Sequence, residues 1–288
     1  MDDAPFSRPR IGIIGGRGAM GRWLESAFLQ TGHQVEIADL ADGPLGPARV
    51  AAWPVTVLAV PVPAVPQVMA AIGPHTRPDG VVLDVASLKA GPLKAMLAQA
   101  RGEVIGCHPL FGPSAPSLAG QTVFICPGRG RRWLDWLRAW LRRGGAVVQE
   151  IEPERHDRLM AQVQSLRHLL LAGLGLALQD TGFDPARDLA LAGPWFQALA
   201  GLIDQQARQP AALYADLALN NLEAPRMLEA LIEALQGLAR ALESGDRPAL
   251  MTGLERAGRL LDRAGGEKDL DGPSAEVYCI QNFKGTGR

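Results

Sequence analysis

The residues best suited to chemistry lie in the stretch Ile105-Gly106-Cys107-His108-Pro109-Leu110-Phe111-Gly112-Pro113. Proline holds φ at about −65° and glycine admits backbone shapes that other residues resist, so a histidine between them is pinned in one pose. The stretch reads as a loop at the end of a strand. An imidazole held there exchanges protons near neutral pH, the chemistry of a general base or acid. A lone histidine is also read as an ordinary loop residue satisfied by a backbone carbonyl, so the elements around it must decide.

The first of those elements is an apolar run over 10–14 that ends in Gly15-Gly16-Arg17-Gly18-Ala19-Met20-Gly21 and passes into the helix-like 22–29. Strand, glycine turn and helix in that order suit a dinucleotide. Gly16, Gly18 and Gly21 fit G-x-G-x-x-G: the first allows the tight turn, the second lets a pyrophosphate approach, and the third lets helix pack on strand. The helix N-terminus then faces the phosphates, with Ala19 and Met20 of the turn expected beside the cofactor. A second apolar strand over 34–38 ends in Asp39, 18 residues beyond Gly21. An acid there accepts the ribose hydroxyls and repels a 2′-phosphate, which favours NAD over NADP, while Arg17 in the turn leaves that choice open. A glycine-rich turn in another kind of α/β protein is the competing reading.

Further strands follow. The β-branched run 55–60 ends in Pro61-Val62-Pro63, as a parallel strand buried on both faces would, and places Val60 and Pro61 beside the cofactor. The run 81–85 leads into Ala86-Ser87-Leu88-Lys89. Ligands of open α/β sheets sit beyond the carboxyl ends of strands, so Ser87 and Lys89 are expected near the nicotinamide, with Ser87 also able to cap the helix that follows. After strands near 104–106 and 121–126, Trp133, Trp136, Leu137 and Trp140 recur at helical spacing as a core stripe. A strand over 146–150 closes the first domain.

From Pro153 onward the pattern is helical. One helix is expected over 155–177 with an apolar stripe of Leu159, Val163, Leu166, Leu170 and Leu174 that embeds Arg167 and His168. Four more are expected near 194–209, 211–220, 226–243 and 247–264. The chain therefore reads as an α/β Rossmann-like dinucleotide-binding domain, 1–150, followed by an all-α domain, 151–288, with a loosely ordered tail from Gly265. So much apolar helix in so short a stretch suggests packing against a second subunit, hence a homodimer through the helical domain.

Composition narrows the partners. The 288 residues are 47% hydrophobic with a formal net charge of −1, which provides no basic field for nucleic acid and points to a small-molecule substrate. Cys107, Cys126 and Cys279 show no metal-knuckle or disulfide spacing, so no metal is expected and a reducing cytoplasm suits them. No apolar run approaches the roughly 20 residues of a membrane helix, and no secretory leader is apparent.

Four motifs in one order resemble prephenate dehydrogenase: the glycine turn at 15–21, Leu83-Asp84-Val85-Ala86-Ser87-Leu88-Lys89 with Gly91-Pro92-Leu93, the His108 stretch, and His156-Asp157 followed by Gln164-Ser165-Leu166-Arg167-His168. The resemblance spans about residues 9–265. It implies NAD-dependent oxidative decarboxylation of a cyclohexadienyl ring, with His108 taking a proton from the C4 substituent and Ser87 orienting that imidazole or the substrate. It also places His156, Arg167 and His168 at the substrate. No chorismate mutase segment stands ahead of the glycine turn, so that fused activity, found in some relatives, is expected to be absent. One departure stands out. The position of the family's substrate-carboxylate arginine falls at Gln205, which cannot make a charged bidentate grip, and Arg208 lies one helical turn away. That departure favours 4-amino-4-deoxyprephenate, giving 4-aminophenylpyruvate on the way to 4-aminophenylalanine; the alternative is prephenate giving 4-hydroxyphenylpyruvate in tyrosine biosynthesis. A β-hydroxyacid dehydrogenase is disfavoured because 145–265 contain no lysine to act as its catalytic residue. A catalytically silent NAD-binding regulator is the remaining alternative.

Overall fold

A computed structural model of the chain describes residues 8–43 and 45–259; the expected tail from Gly265, with Cys279, lies outside them. Helices and strands alternate through the first half: β1 Ile11–Ile14, α1 Ala19–Gln30, β2 Val35–Ala38, α2 Leu45–Ala51, β3 Val55–Leu58, α3 Val65–Ile72, β4 Val81–Asp84, α4 Ala90–Gln99, β5 Glu103–Pro109, β6 Thr122–Arg129, α5 Arg132–Arg143 and β7 Val147–Glu150. The strands form one sheet in the order β2-β1-β3-β4-β5-β6-β7, with every pair parallel except β5 and β6. β1, β3 and β4 are buried at every residue, as the β-branched runs require when helices cover both faces. On one face Ile11, Ile13, Phe28, Trp133, Trp136 and Trp140 share a core, so the tryptophan stripe is indeed packing. On the other, Leu58, Met69, Val82, Leu93 and Met96 pack together.

His108 does not lie in a loop. It belongs to β5, opposite Phe124 of β6 in the antiparallel ladder. Pairing with β6 carries the strand through Pro109, which occupies the last position of β5, where a missing N–H is tolerated. Strand pairing, in addition to the flanking prolines, therefore fixes this backbone.

The remaining elements are helical: α6 Pro153–Met160, α7 Arg167–Asp180, α8 Pro185–Asp188, α9 Pro194–Ala207, α10 Ala211–Leu219, α11 Ala224–Glu243 and α12 Arg247–Gly258. The single helix expected over 155–177 is split by a π-helical turn, Ala161–Leu166. A π turn holds more residues than an α turn, so a constant spacing drawn through it selects the wrong face. Val163 and Leu170 of the expected stripe are exposed, whereas His156, Met160, Ala161, Ser165, His168 and Leu171 are buried. Among the described residues, those of 8–165 with 212–224 form one compact unit and those of 166–211 with 225–259 form the other. Among the described residues no helix is long and apolar enough to cross a membrane.

Candidate active site

The glycine turn follows β1 at the carboxyl edge of the sheet. Its left-handed residue is Gly15, with φ of 82°, rather than Gly16, the first glycine of the motif. A Cβ on Gly15 would lie 2.3 Å from the Ala59 carbonyl oxygen, so β3 excludes any side chain there. Gly16 and Gly21 serve close packing, since a Cβ on either would approach Ile37 or the Gly15 carbonyl to 2.4 Å. Gly18 differs: it caps α1 in an extended conformation without a side-chain cap, and a Cβ there would meet only the Gly15 oxygen, at 3.3 Å. The first N–H groups of α1, at Ala19 and Met20, are thus left for an incoming anion, while the Met20 side chain packs on the core. A cavity of about 830 Å³ opens beside them, lined by Gly15, Arg17, Gly18, Asp39, Val60 and Pro61 among others. Carboxyl ends of three adjacent strands, an uncapped helix N-terminus and an acid at the end of β2 fit a dinucleotide.

The proton-handling site lies in the same unit, on β5 and α6. His108 Nδ1 is 2.9 Å from His156 Nε2, and His156 Nδ1 is 2.8 Å from Asp157 Oδ1. The carboxylate can only accept, so His156 donates from Nδ1 and presents a lone pair at Nε2. His108 therefore donates from Nδ1 and carries its free lone pair on Nε2, which has no hydrogen-bond partner among the described residues. That tautomer is the one a base requires. Burial, then the neighbouring His156 and Lys89, push the His108 pKa well below the ordinary histidine value, so the ring stays neutral at neutral pH.

Asp157 is held in turn. Its Oδ1 accepts the Lys89 N–H at 2.7 Å and its Oδ2 the Ala90 N–H at 2.9 Å, capping α4 from a distant segment of chain. Its backbone carbonyl accepts the Asn221 amide at 2.8 Å. Ser87, half-buried between β4 and α4, neither caps α4 nor holds His108; Asp157 performs the first task and His156 the second. The contact expected between His156 and substrate is also replaced, because His156 is fully buried, with Phe124 edge-on at 5.5 Å.

Lys89, expected near the nicotinamide, is an interior residue. Its side chain is wholly buried, paired with Asp84 and donating to the Cys107 carbonyl at 2.8 Å. Gly106 makes room, since a Cβ there would lie 3.1 Å from Lys89 Cδ. The lysine thus ties the carboxyl end of β4 to the peptide just before His108. Burial pushes the Asp84 carboxyl up against the opposing pull of Lys89. It also pushes the Cys107 and Cys126 thiols up to about 12, so neither is a nucleophile at neutral pH. Among the described residues no group of His, Cys, Asp or Glu is arranged to hold a metal ion.

The second unit carries its own polar cluster. Arg167 is exposed on α7 and its guanidinium lies 3.0 Å from His168 Nε2, while His168 Nδ1 is 2.8 Å from Gln206 Oε1. The Gln206 amide also donates to the His168 carbonyl, at 3.1 Å. The glutamine engaged with His168 is therefore Gln206, while Gln205 is exposed on α9. The Arg208 guanidinium pairs with Asp204 at 2.7 Å, one turn back on the same helix.

Gly15, Asp157 and Gln206 are residues that the sequence reading passed over. The first stood beside the motif, the second beside His156 and the third beside Gln205; in each case spacing could not tell which neighbour faces inward.

The parallel sheet with its crossover helices, the glycine turn and the buried histidine relay define a Rossmann-type oxidoreductase. Residues 25–150 match the family model for the prephenate dehydrogenase nucleotide-binding domain, and 152–256 that for its dimerization domain. The chain belongs to the prephenate dehydrogenase family. It is similar to the T-protein of Enterobacter agglomerans, 31% identical over 252 residues covering 88% of this chain and 67% of that protein. It is likewise similar to a 4-amino-4-deoxyprephenate dehydrogenase of Streptomyces pristinaespiralis, 30% identical over 259 residues covering 82% of this chain and 86% of that one. A crystal structure of prephenate dehydrogenase from A. aeolicus shares the fold with a TM-score of 0.70 at 19% identity, covering 88% of this chain and 98% of that one. The chain spans 67%, 60% and 63% of the lengths of three curated relatives that it matches.

Proposed function

We propose that this protein oxidatively decarboxylates a prephenate-type cyclohexadiene with NAD as oxidant and His108 as the base. The observation that carries the reading is the relay Asp157–His156–His108, which leaves one lone pair, at His108 Nε2, for a substrate proton. NAD bound at the glycine turn supplies hydride acceptance. The chain's part is to take the proton of the C4 substituent as the ring loses hydride at C4 and carbon dioxide at C1, and to return it once the ring is aromatic. As His108 becomes imidazolium, its Nδ1–H strengthens its bond to His156, and Asp157 balances the charge. Residues 1–150 form the NAD-binding domain; 151–288 bind substrate through Arg167 and His168 and form a homodimer. Exposed Leu176, Trp195, Leu235 and Leu242 on the helices support that dimer. The buried free thiols Cys107 and Cys126 suit a cytoplasmic enzyme.

The preferred substrate is 4-amino-4-deoxyprephenate. A neutral Gln205 at the position where the family resemblance places a carboxylate-gripping arginine supports it, and so does the Streptomyces relative, most of whose length the chain covers. NADH formation followed by absorbance with each substrate is the test. A higher kcat/KM for the amino compound is expected. A higher value for prephenate would retain the reaction and remove the amino assignment, and turnover of neither would leave an NAD-binding regulator.

His156 acts through His108, so its replacement separates positioning from packing. His156→Phe removes the acceptor and should lower kcat/KM by about 10–100-fold, the usual cost of losing a residue that orients a reacting imidazole. The acid limb of the pH profile should move to higher pH, because one of the two neighbours that hold the His108 pKa down is gone. His156→Gln, whose amide oxygen can accept from His108 Nδ1, should restore most of the rate. Equal losses in both variants with an unmoved pH profile would make His156 a packing residue.

A further inference from the structure

Beside the dinucleotide cavity, Arg17 is the one cationic side chain of the glycine turn, and it is already engaged. Its guanidinium donates from both terminal nitrogens to Asp42, at 2.8 and 2.7 Å. Asp42 sits at the end of a single 3-10 turn, Leu40–Asp42, that follows β2, and its Oδ2 also accepts the Asp39 N–H at 2.8 Å. Asp39 Oδ2 closes the ring by accepting the Arg17 N–H at 3.2 Å. Two carboxylates thus hold one arginine, one through its guanidinium and the other through its backbone. The turn bearing Asp42 is itself tightly packed, since a Cβ at Gly46 would lie 2.6 Å from Asp42 Cβ. Arg17 holds the Asp42 carboxyl down at about 2, so both members stay charged at neutral pH.

We infer that Asp42 is a cofactor-specificity residue: by clamping Arg17 it withholds from a 2′-phosphate the cation of the glycine turn and makes the pocket select NAD. The inference rests on the dinucleotide reading above and deepens it. An acid at the end of β2 repels the 2′-phosphate but does not by itself prevent an adjacent arginine from compensating, and an arginine near this position is what accommodates that phosphate. Here both terminal nitrogens of the guanidinium are spent on a bidentate pair, the strongest geometry available to it. NADP must break that pair before Arg17 can turn to the phosphate, whereas NAD leaves it intact. Exposed ion pairs are individually weak, so the clamp shifts preference rather than sealing it, and it can be undone by one substitution.

Isothermal titration of the whole chain with NAD and with NADP tests this without any turnover. Asp42→Asn keeps an oxygen for the Asp39 N–H and removes the charge that holds Arg17. The NADP-to-NAD ratio of Kd should fall by about 10-fold, the scale of one charge-assisted hydrogen bond. In Arg17→Ala with Asp42→Asn the gain should vanish, because Arg17 is no longer there to be released. If Asp42→Asn binds NAD with an unchanged ratio, Asp39 alone sets the preference and the inference fails while the cofactor reading stands. If the gain survives loss of Arg17, the inference also fails. Binding of neither dinucleotide by the parent chain would overturn the cofactor reading together with it.

Discussion

His108→Asn should lower kcat/KM by about 10²–10⁴-fold, the range that a positioned general base contributes. Asparagine keeps a polar group near His156 but cannot take a proton at the position of Nε2. The pH profile gives the sharper test. In the parent, a base must be neutral to act, and burial with His156 and Lys89 places its pKa well below the ordinary histidine value. Activity should therefore be flat through neutral pH and fall only as the medium becomes acidic enough to protonate the ring. In the asparagine variant the residual rate should lose that acid limb. Titration with NAD should show the variant still folded, because the dinucleotide cavity is lined by the glycine turn, by residues just beyond β2 and β3 and by α3, and not by β5. Turnover that survives the substitution would remove His108 from the chemistry.

Lys89→Met should destabilise the fold by about 3–5 kcal/mol, the cost of leaving one member of a buried ion pair alone. Asp84 and Lys89 are both wholly buried, and among the described residues Asp84 Oδ1 has no hydrogen-bond partner, so the carboxyl would be left without its ion pair. Methionine fills the lysine stem's channel past Gly106 but cannot donate to the Cys107 carbonyl. The compensating double variant, Asp84→Asn with Lys89→Met, should recover a large part of the loss, because two neutral side chains carry no uncompensated charge. Urea midpoints of the three proteins make the comparison. A single variant within 1 kcal/mol of the parent, about the scale of an exposed pair, would show that the pair contributes no more than a surface bridge. Kinetics of the double variant would then report how far Lys89 tunes His108, since removing a nearby positive charge should raise the histidine's pKa and move the acid limb to higher pH.

Much of the site is visible in the linear pattern where chemistry depends on residue type and local spacing. The glycine turn, the strand alternation and the acid closing β2 need only neighbours in sequence, and periodicity of 2 and 3.6 reports them directly. Errors fall where a long-range contact outranks a local preference. His108 looks like a loop residue because prolines surround it, yet an antiparallel partner 16 positions along at Phe124 draws it into a strand. Ser87 looks like a helix cap because serine commonly is one. Asp157, 67 positions beyond Ala90, takes that task instead. The apolar stripe through 155–177 fails because a π turn resets the face that is buried.

The sequence by itself determined the class of fold, the place of the cofactor turn and the histidine most able to accept a proton, since each is written in residues a few positions apart. Tertiary structure decided what those residues touch. It alone set the tautomer of His108 through His156 and Asp157, buried Lys89 against Asp84, and closed Asp42 upon Arg17. Hydrogen bonds and ion pairs join atoms about 3 Å apart whose residues stand tens of positions away, and only folding of the sheet brings them together.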